Sequence, residues 1–302
     1  MYHYVRDAAR TAWPRIKARS CEEFERQLSY IRRTFDVVGL ERVIEAYQGG
    51  APLTRESCLL TFDDGLADHV ETVLPALRRH GLTGCFCIPA RPMQEPVVLD
   101  VQKSQFVLAA VDDHAALGRR LLELVEPLRD EFRIAPPDEL RATYARPGRY
   151  DGAETMFVKR LLQDGLHERP RRVVLAGLFA ELVSDDEAAF ARTLYLSPEA
   201  VGALAAAGMD VAGHGYEHRR LELLAEDEQR GEIERTSQFL SSFGVDPTRW
   251  AMCYPFGSRD ETTLRLLEEA GCAVAFRDRG GAASPAEAAL DLPRLDTNEL
   301  PV

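Results

Sequence analysis

The chain has 302 residues, of which 45% are hydrophobic and 28% are charged, and its formal net charge at pH 7 is -12. These proportions are typical of a water-soluble enzyme, and the length suffices for one large domain or two smaller ones. The negative charge argues against a nucleic acid or an anionic membrane as the main partner, because both bind clustered Lys and Arg side chains.

The sequence shows no targeting or membrane signal. The first seven residues lack the apolar stretch of a secretory signal, and no segment approaches the roughly 20 apolar residues of a membrane span. The six cysteines lie mostly in apolar runs, which predicts reduced core thiols. We therefore expect a cytoplasmic protein without an integral membrane span.

Strands and helices alternate in the first part of the chain. A capping box begins a helix predicted over 20–35, and a short helix is predicted over 40–47. A buried strand over 57–62, a helix over 69–80 and a strand over 84–88 follow. Strand, helix and strand of these lengths form a βαβ unit, which implies parallel strands.

The same alternation resumes late in the chain. Ser197 and Pro198 are typical of a helix start, and glycines end the predicted helices. The predicted helices cover 198–208, 224–243 and 261–270, and the predicted strands cover 209–213, 250–254 and 272–276. These segments extend the parallel sheet predicted for the first part.

The middle of the chain shows no strand pattern. Apolar residues recur at helical spacing over 117–132 and over 174–182. The sequence therefore predicts an α/β barrel built from 1–94 and 195–302, with a helical insertion over 95–194. Three roles remain open for the insertion: a lid, an oligomer surface or a substrate specificity element.

Two adjacent carboxylates stand at the end of the first predicted buried strand. Residues 61–65 read TFDDG, and Gly65 permits the sharp turn that lets Asp63 and Asp64 face a cleft. Two buried acids side by side repel each other and lose hydration, so a cation or a proton is needed to stabilise them. We expect one aspartate to hold a metal ion and the other to move a proton.

A second polar cluster follows the predicted strand 209–213. Residues 214–218 read HGYEH, and two histidines four residues apart can bind one metal ion in a helix or a tight loop. This spacing alone is a weak signal, but active sites gather where the parallel strands of a barrel end. Asp64, His214 and His218 therefore form a predicted metal site with positions open for water and substrate.

Three motifs in this order resemble those of the NodB-like polysaccharide deacetylases, a family of metal-dependent carbohydrate esterases. They are TFDDG at 61–65, HGYEH at 214–218 and YPFG at 254–257. The resemblance covers about residues 20–90 and 195–298. It implies an α/β fold, a distorted (β/α) barrel of the NodB-like deacetylase type, here with a large helical insertion. The helix before the first motif is similar to that of members acting on bacterial surface sugars.

The resemblance also implies a role for each motif. Asp63 matches the general base, which accepts a proton from the attacking water. The matching metal ligands are Asp64, His214 and His218, and the default ion is Zn²⁺. The backbone at Tyr254 and Pro255 matches the part that helps to hold the oxyanion.

The sequence departs from the family pattern at three places. Gly215 replaces the usual Ser or Thr after the first histidine, which removes a hydroxyl that braces the loop. Cys253 stands where many members have an Arg that orients the base, and Arg294 is a candidate to replace it. The late histidine that normally supplies the general acid is missing, because no histidine follows His218.

Two candidates remain for the missing acid. Asp63 could return its own proton to the leaving amine, or His69 could reach the site from the following helix, although such a histidine is more often a surface residue. Glu217 is expected to be a solvated loop charge. The remaining histidines are expected to be structural or exposed; they are His3, His80, His114 and His167.

The implied reaction is removal of an N-acyl group, acetyl or formyl, from an amino sugar. Without a secretory signal, a nucleotide-linked or lipid-linked intermediate of surface polysaccharide or lipopolysaccharide O-antigen assembly is the expected substrate. Two alternatives stay open. In the first, the chain is a degenerate deacetylase that binds a glycan or a partner protein without turnover. In the second, it is an O-deacetylase, whose leaving group depends less on a general acid.

Overall fold

Parallel strands form the sheets of the computed structural model, which describes residues 1–54, 56–148 and 151–301. In chain order the strands are β1 (Asp36–Val37), β2 (Ser57–Cys58), β3 (Thr61–Asp63), β4 (Cys85–Ile88), β5 (Asp210–Gly213), β6 (Trp250–Cys253) and β7 (Cys272–Phe276). Strands β3 to β7 form one parallel sheet in the order of the chain, and β1 pairs with β2. The predicted α/β fold with parallel strands is therefore confirmed.

Two short pairings extend the larger sheet. Tyr2 forms a parallel bridge to Phe62 in β3, and Leu292 forms a parallel bridge to Phe276 in β7. The strand predicted over 57–62 is divided into β2 and β3. Within the described part of the chain, the hydrogen-bonded strands form these two sheets and not a closed ring.

Helices connect the strands. In chain order they are α1 (Cys21–Thr34), α2 (Leu40–Tyr47), α3 (Leu74–His80), α4 (Arg91–Gln94), α5 (Asp100–Ala110), α6 (His114–Val125), α7 (Arg129–Phe132), α8 (Pro137–Tyr144), α9 (Ala153–Arg160), α10 (Glu168–Leu182), α11 (Glu187–Leu194), α12 (Pro198–Ala206), α13 (Glu226–Ser241) and α14 (Glu261–Glu269). The predicted capping box at the start of α1 is confirmed, because Ser20 and Glu23 bond each other's backbone N–H groups. Among the described residues, no helix has the length and apolar character needed to cross a membrane.

The chain divides into two compact units. The first consists of Met1–Asp7, Ala18–Pro96 and Arg192–Val302, and it contains all the strands given above. The second consists of Ala8–Lys17 and Val97–Ala191 and is helical. The domain boundaries inferred from the sequence remain a prediction.

Each unit has its own aromatic core. In the first unit, the Phe62 ring stacks on Phe86 of β4, with ring centroids 4.9 Å apart. In the second unit, the Phe190 ring meets Phe106 and Phe179 edge to face. Such pairs stabilise a core beyond the area that they bury.

The expectation about the cysteines holds for four of them and fails for two. Free thiols are found at Cys21, Cys58, Cys85 and Cys272. The sequence predicts reduced core thiols, but Cys87 of β4 and Cys253 of β6 form a disulfide, with Cα atoms 6.1 Å apart. The two strands flank β5, and the pairing joins residues 166 positions apart, so local spacing could not reveal it.

Candidate active site

The candidate site lies where the parallel strands of the first unit end. Asp63 is the last residue of β3, His214 follows β5 directly, and Cys253 is the last residue of β6. Since the strands are parallel, their carboxyl ends meet at one edge of the sheet. This topology brings together two motifs that are far apart in the sequence.

Arg294 holds Asp63 in a two-pronged ion pair. Its Nη1 donates to Oδ1 of Asp63 and its Nη2 donates to Oδ2, both at 2.8 Å. Nη1 also lies 3.1 Å from Oγ1 of Thr61 and 3.3 Å from Sγ of Cys253. The guanidinium therefore stands beside Cys253, where the family pattern led us to look for an arginine, and it fixes the orientation of the carboxylate.

The surroundings of Asp63 keep it ionised. Burial by itself raises the pKa of a carboxyl group, but the Arg294 guanidinium and the nearby His214 hold the pKa of Asp63 well below its usual range. Asp63 is 1% exposed. A carboxylate that accepts protons is therefore present here across the neutral pH range.

Asp64 faces two histidine rings. Its Oδ1 lies 3.5 Å from Nε2 of His214 and 3.5 Å from Nε2 of His218. The three side chains are buried, and their ligand atoms lie within 4.8 Å of one another. Asp64 and His218 have φ angles of 81° and 57°. Such angles are uncommon for residues other than Gly and concentrate at functional sites.

The hydrogen bonds around these side chains leave their candidate ligand atoms facing one another. Nδ1 of His214 donates to the backbone carbonyl of Cys253 at 2.7 Å, which turns Nε2 of the ring toward Asp64. Among the described residues, Oδ1 of Asp64 has no hydrogen-bond partner. A buried carboxylate oxygen without a donor is costly unless a cation satisfies it.

The protonation states also suit a divalent cation. Burial, with the neighbouring His214, lowers the pKa of His218 to about 3, so its ring is neutral. Burial opposes ionisation of Asp64, but the imidazole of His214 close to its carboxylate, and the neighbouring rings of His3 and His218, lower its pKa to about 2. Burial opposes protonation of His214, but the Asp63 and Asp64 carboxylates raise its pKa, so a metal ion would displace a proton from this ring. One carboxylate and two imidazoles are the donors that Zn²⁺ accepts. These residues fit the predicted metal.

A second cluster of candidate ligands does not fit. The carboxylate of Asp63 and the sulfurs of Cys87 and Cys253 also lie within 4.8 Å of one another. The two sulfurs are joined in a disulfide, so neither offers the thiolate that binds metals.

His69 is buried, contrary to its expected surface position. It lies in a π-helical turn, His69–Val73, and is 0% exposed. Its ring packs against Phe62 and Phe86, and Nε2 lies 3.4 Å from the carbonyl of His3. Burial lowers the pKa of His69 to about 4, so the ring is neutral. In this place His69 supports the segment that carries His3.

The segment that carries His3, a residue predicted to be structural or exposed, lies beside the two acids. The segment around it runs beside β3: the N–H of Tyr2 donates to Thr61, and the N–H of Asp63 donates to the carbonyl of Tyr2. Asp68 anchors the same segment through the N–H of Val5. The imidazole is half-buried and lies close enough to Asp63 and Asp64 to influence the pKa of both.

A signal for His3 exists in the sequence. Residues 2–5 read YHYV, a short run with high β propensity. Tyr2 points into the core, where its hydroxyl bonds Gln27, and successive side chains of an extended segment point to opposite faces. The run was therefore readable as an edge strand with His3 on the other face.

The expected oxyanion role of the Tyr254 N–H needs correction. That N–H donates to the carbonyl of Phe276 in β7 at 2.9 Å, so it is used in pairing the strands. Pro255 has no N–H to offer. The next residue, Phe256, has a φ of 58°, and its ring lies 4.7 Å from the His218 ring. The YPFG motif therefore packs against a predicted metal ligand.

Glu217, expected to be a solvated charge, is paired. Its Oε1 accepts a bond from Nη1 of Arg91 at 2.9 Å, and its side chain is 16% exposed. The backbone N–H of Arg91 also donates to the carbonyl of Tyr216. These bonds tie the start of α4 to the loop that carries the two histidines.

A family model described as polysaccharide deacetylase matches residues 174–275. The match contains His214, His218 and the YPFG motif, and it begins after Asp63 and Asp64. A comparison with curated protein sequences gave no match.

Solved structures of deacetylases share the fold. The deacetylase PplD of Streptococcus pyogenes, solved with acetate, superposes with a TM-score of 0.58 at 15% identity, over 98% of this chain and 89% of that one. IcaB of Ammonifex degensii gives 0.56 at 17% identity, over 97% and 89%. A de-N-acetylase of Aggregatibacter actinomycetemcomitans gives 0.58 at 14% identity, over 100% and 95%. The predicted resemblance and fold class are confirmed.

Proposed function

We propose that this chain, which resembles the NodB-like polysaccharide deacetylases in its fold and in its family match, is a metal-dependent hydrolase that removes an N-acyl group from an amino sugar. One observation carries the proposal. A carboxylate clamped in the ionised state, Asp63, adjoins a carboxylate and two imidazoles with an unsatisfied ligand face. A base next to a metal site is the arrangement that metal-assisted hydrolysis requires.

The metal ligands in this proposal are Asp64, His214 and His218. A bound divalent ion, with Zn²⁺ the default, would polarise the acyl carbonyl and lower the pKa of water. The bond from His214 to the Cys253 carbonyl keeps the ligating face of that ring in place.

Asp63 and His3 share the proton transfers in this proposal. Asp63, aimed by Arg294, accepts the proton of the water that attacks the acyl carbon. As the bond between carbon and nitrogen breaks, the leaving amine takes up a proton, and His3 supplies it. His3 thus fills the role for which the end of the chain offers no histidine, and Asp63 need not act twice.

The substrate class extends the proposal further. Of the similar structures, one was solved in complex with acetate and another is a de-N-acetylase, which favours acetyl over formyl here. We take the sugar to be a nucleotide-linked or lipid-linked intermediate of surface polysaccharide or O-antigen assembly in the cytoplasm, as the sequence suggests.

The experiment combines metal analysis with an assay of amine release. Purified protein, loaded with Zn²⁺, is incubated with N-acetylated and N-formylated sugar nucleotides, beside Asp63→Asn and metal-stripped protein. We expect release by the loaded wild type alone. Full activity in Asp63→Asn or in stripped protein would refute the mechanism. Metal content with release from O-acetylated sugars only would identify an O-deacetylase, and absence of metal and turnover would identify a binding protein.

A further inference from the structure

We infer that Glu232 of α13 is a positioning residue for the loop that presents His214 and His218. The inference rests on the proposed metal site. Glu232 is 0% exposed, and its Oε2 accepts two consecutive backbone N–H groups, from Tyr216 at 3.0 Å and from Glu217 at 2.9 Å. Both donors lie between the two histidines.

The loop cannot satisfy these N–H groups by itself. Gly215 and His218 have φ angles of 73° and 57°, so residues 214–218 follow neither a helix nor a strand. Backbone N–H groups that leave regular structure in a buried place need another acceptor. The Glu232 carboxylate supplies it at the middle of the loop.

The identity of residue 215 agrees with this arrangement. A Cβ at Gly215 would lie 3.5 Å from Oε2 of Glu232 and 3.2 Å from Cγ of Pro255, on a backbone that side chains rarely adopt. The deacetylase family that the chain resembles usually has a Ser or Thr here, whose hydroxyl braces the loop. In this chain such a side chain has little room. In this chain the brace comes from α13 instead.

Close packing of α13 on β5 brings Glu232 within reach. A Cβ at Gly213, the last residue of β5, would lie only 2.4 Å from Cγ2 of Thr236. Thr236 is one turn after Glu232 on the same helix face, and its hydroxyl donates to the Glu232 carbonyl at 2.7 Å. The missing side chain at residue 213 lets the helix approach the strand that ends at the first histidine.

Burying a carboxylate costs desolvation free energy. Its use to hold this loop therefore indicates that the loop conformation matters for function. Nη2 of Arg235 lies 3.8 Å from Oε1, beyond hydrogen-bond distance, and Oε1 has no hydrogen-bond partner among the described residues. Residues that orient metal ligands change metal affinity about 10-fold to 100-fold when they are removed. We expect an effect of that size from the loss of both bonds.

The test compares Glu232→Ala and Glu232→Gln with Glu234→Ala, an exposed control on the same helix. Zn²⁺ affinity is measured by competition with a chelator, and the visible spectrum of Co²⁺-loaded protein reports the ligand geometry. We expect Glu232→Ala to bind about 10-fold to 100-fold more weakly with an altered spectrum. Glu232→Gln, which keeps an accepting oxygen, should stay within about threefold of wild type, and Glu234→Ala should not differ.

Hydrogen exchange of the metal-free proteins separates this inference from the proposed function. The peptide that spans residues 214–218 should exchange faster in Glu232→Ala than in wild type or Glu234→Ala, whether or not metal binds. Wild-type affinity, spectrum and exchange in Glu232→Ala would overturn the inference, as would equal losses in the Gln and Ala variants. A wild type that binds no metal would instead overturn the proposed function, and exchange would still decide whether Glu232 holds the loop.

Discussion

Asp63 shows how one cation decides the state of a buried acid. Burial pushes its pKa up, and Arg294 pulls it down by more. The pair is 5% and 2% exposed at the two side chains, so water screens little of the attraction. Removal of one partner from such a pair leaves an uncompensated charge, which typically costs about 3–5 kcal/mol.

We expect Arg294→Met to change the pH dependence of both activity and stability. Without the guanidinium, burial dominates and raises the pKa of Asp63, so the acidic limb of kcat/KM should move to higher pH. In wild type the folded pKa lies below the unfolded value of about 3.9, so the ion pair contributes fully above that pH and is lost only below it. In the variant the raised pKa adds a penalty that grows as the pH rises above about 3.9, because the buried carboxylate then has to ionise without its partner. Urea unfolding should therefore show a larger deficit for the variant at about pH 7 than at about pH 4.

Arg279→Met is the matched control, because Arg279 is 89% exposed. It should shift neither the acidic limb nor the stability. An unmoved limb in Arg294→Met would mean that Arg294 does not set the charge of the base.

His3→Gln tests the proton donor. An amide needs protonation of its nitrogen to break, whereas an activated acetate ester with a phenolate leaving group does not. We expect kcat on an N-acetyl amino sugar to fall by about 10² to 10⁴ and hydrolysis of the ester to fall much less. Equal losses on both substrates would contradict the role of His3. His167→Gln, at an exposed position, serves as the control.

At the scale of elements, the contact between α13 and β5 depends on one missing side chain. Gly213 has an ordinary negative φ, but no space for a Cβ beside Thr236. Helices pack against sheets at distances set by the side chains between them. The same contact carries Glu232 to the histidine loop, so fold and site share it.

We expect Gly213→Ala to destabilise the protein by about 1–3 kcal/mol through overpacking. Gly231→Ala, within α13 and with nothing within 4 Å of its Cβ, should stabilise by about 0.5–1 kcal/mol. The free energies of unfolding in denaturant measure both. Equal changes in the free energy of unfolding for the two variants would show that α13 can move away from β5 without loss of stability.

For the whole molecule, local sequence motifs predicted part of the site. The acids and histidines follow strands directly, so their convergence could be read from the order of the elements. Arg294 could also be predicted as a site residue, because the segment LPRLD at 292–296, which carries it, follows the last strand. These features lie close in sequence to the element that positions them.

Features that depend on register or on distant pairing were not predictable. The Tyr254 N–H is used because of the way β6 pairs with β7, and motif spacing carries no register. His3 joins the site through an edge pairing 60 positions away in the chain. Glu232 resembled any charge on a helix until the loop that it holds was seen.

The pairing of Asp63 with Arg294 has a consequence for the synthesis of the protein. The two residues are 231 positions apart, so the ribosome releases the first strand of the large sheet long before the arginine emerges. Closing so long a loop is slow, because its entropy cost arises before the ion pair can form and stabilise the chain. Until then, burying β3 means burying an unpaired carboxylate. We therefore expect packing around Asp63, the proposed base, to be completed only after the segment that carries Arg294 has emerged.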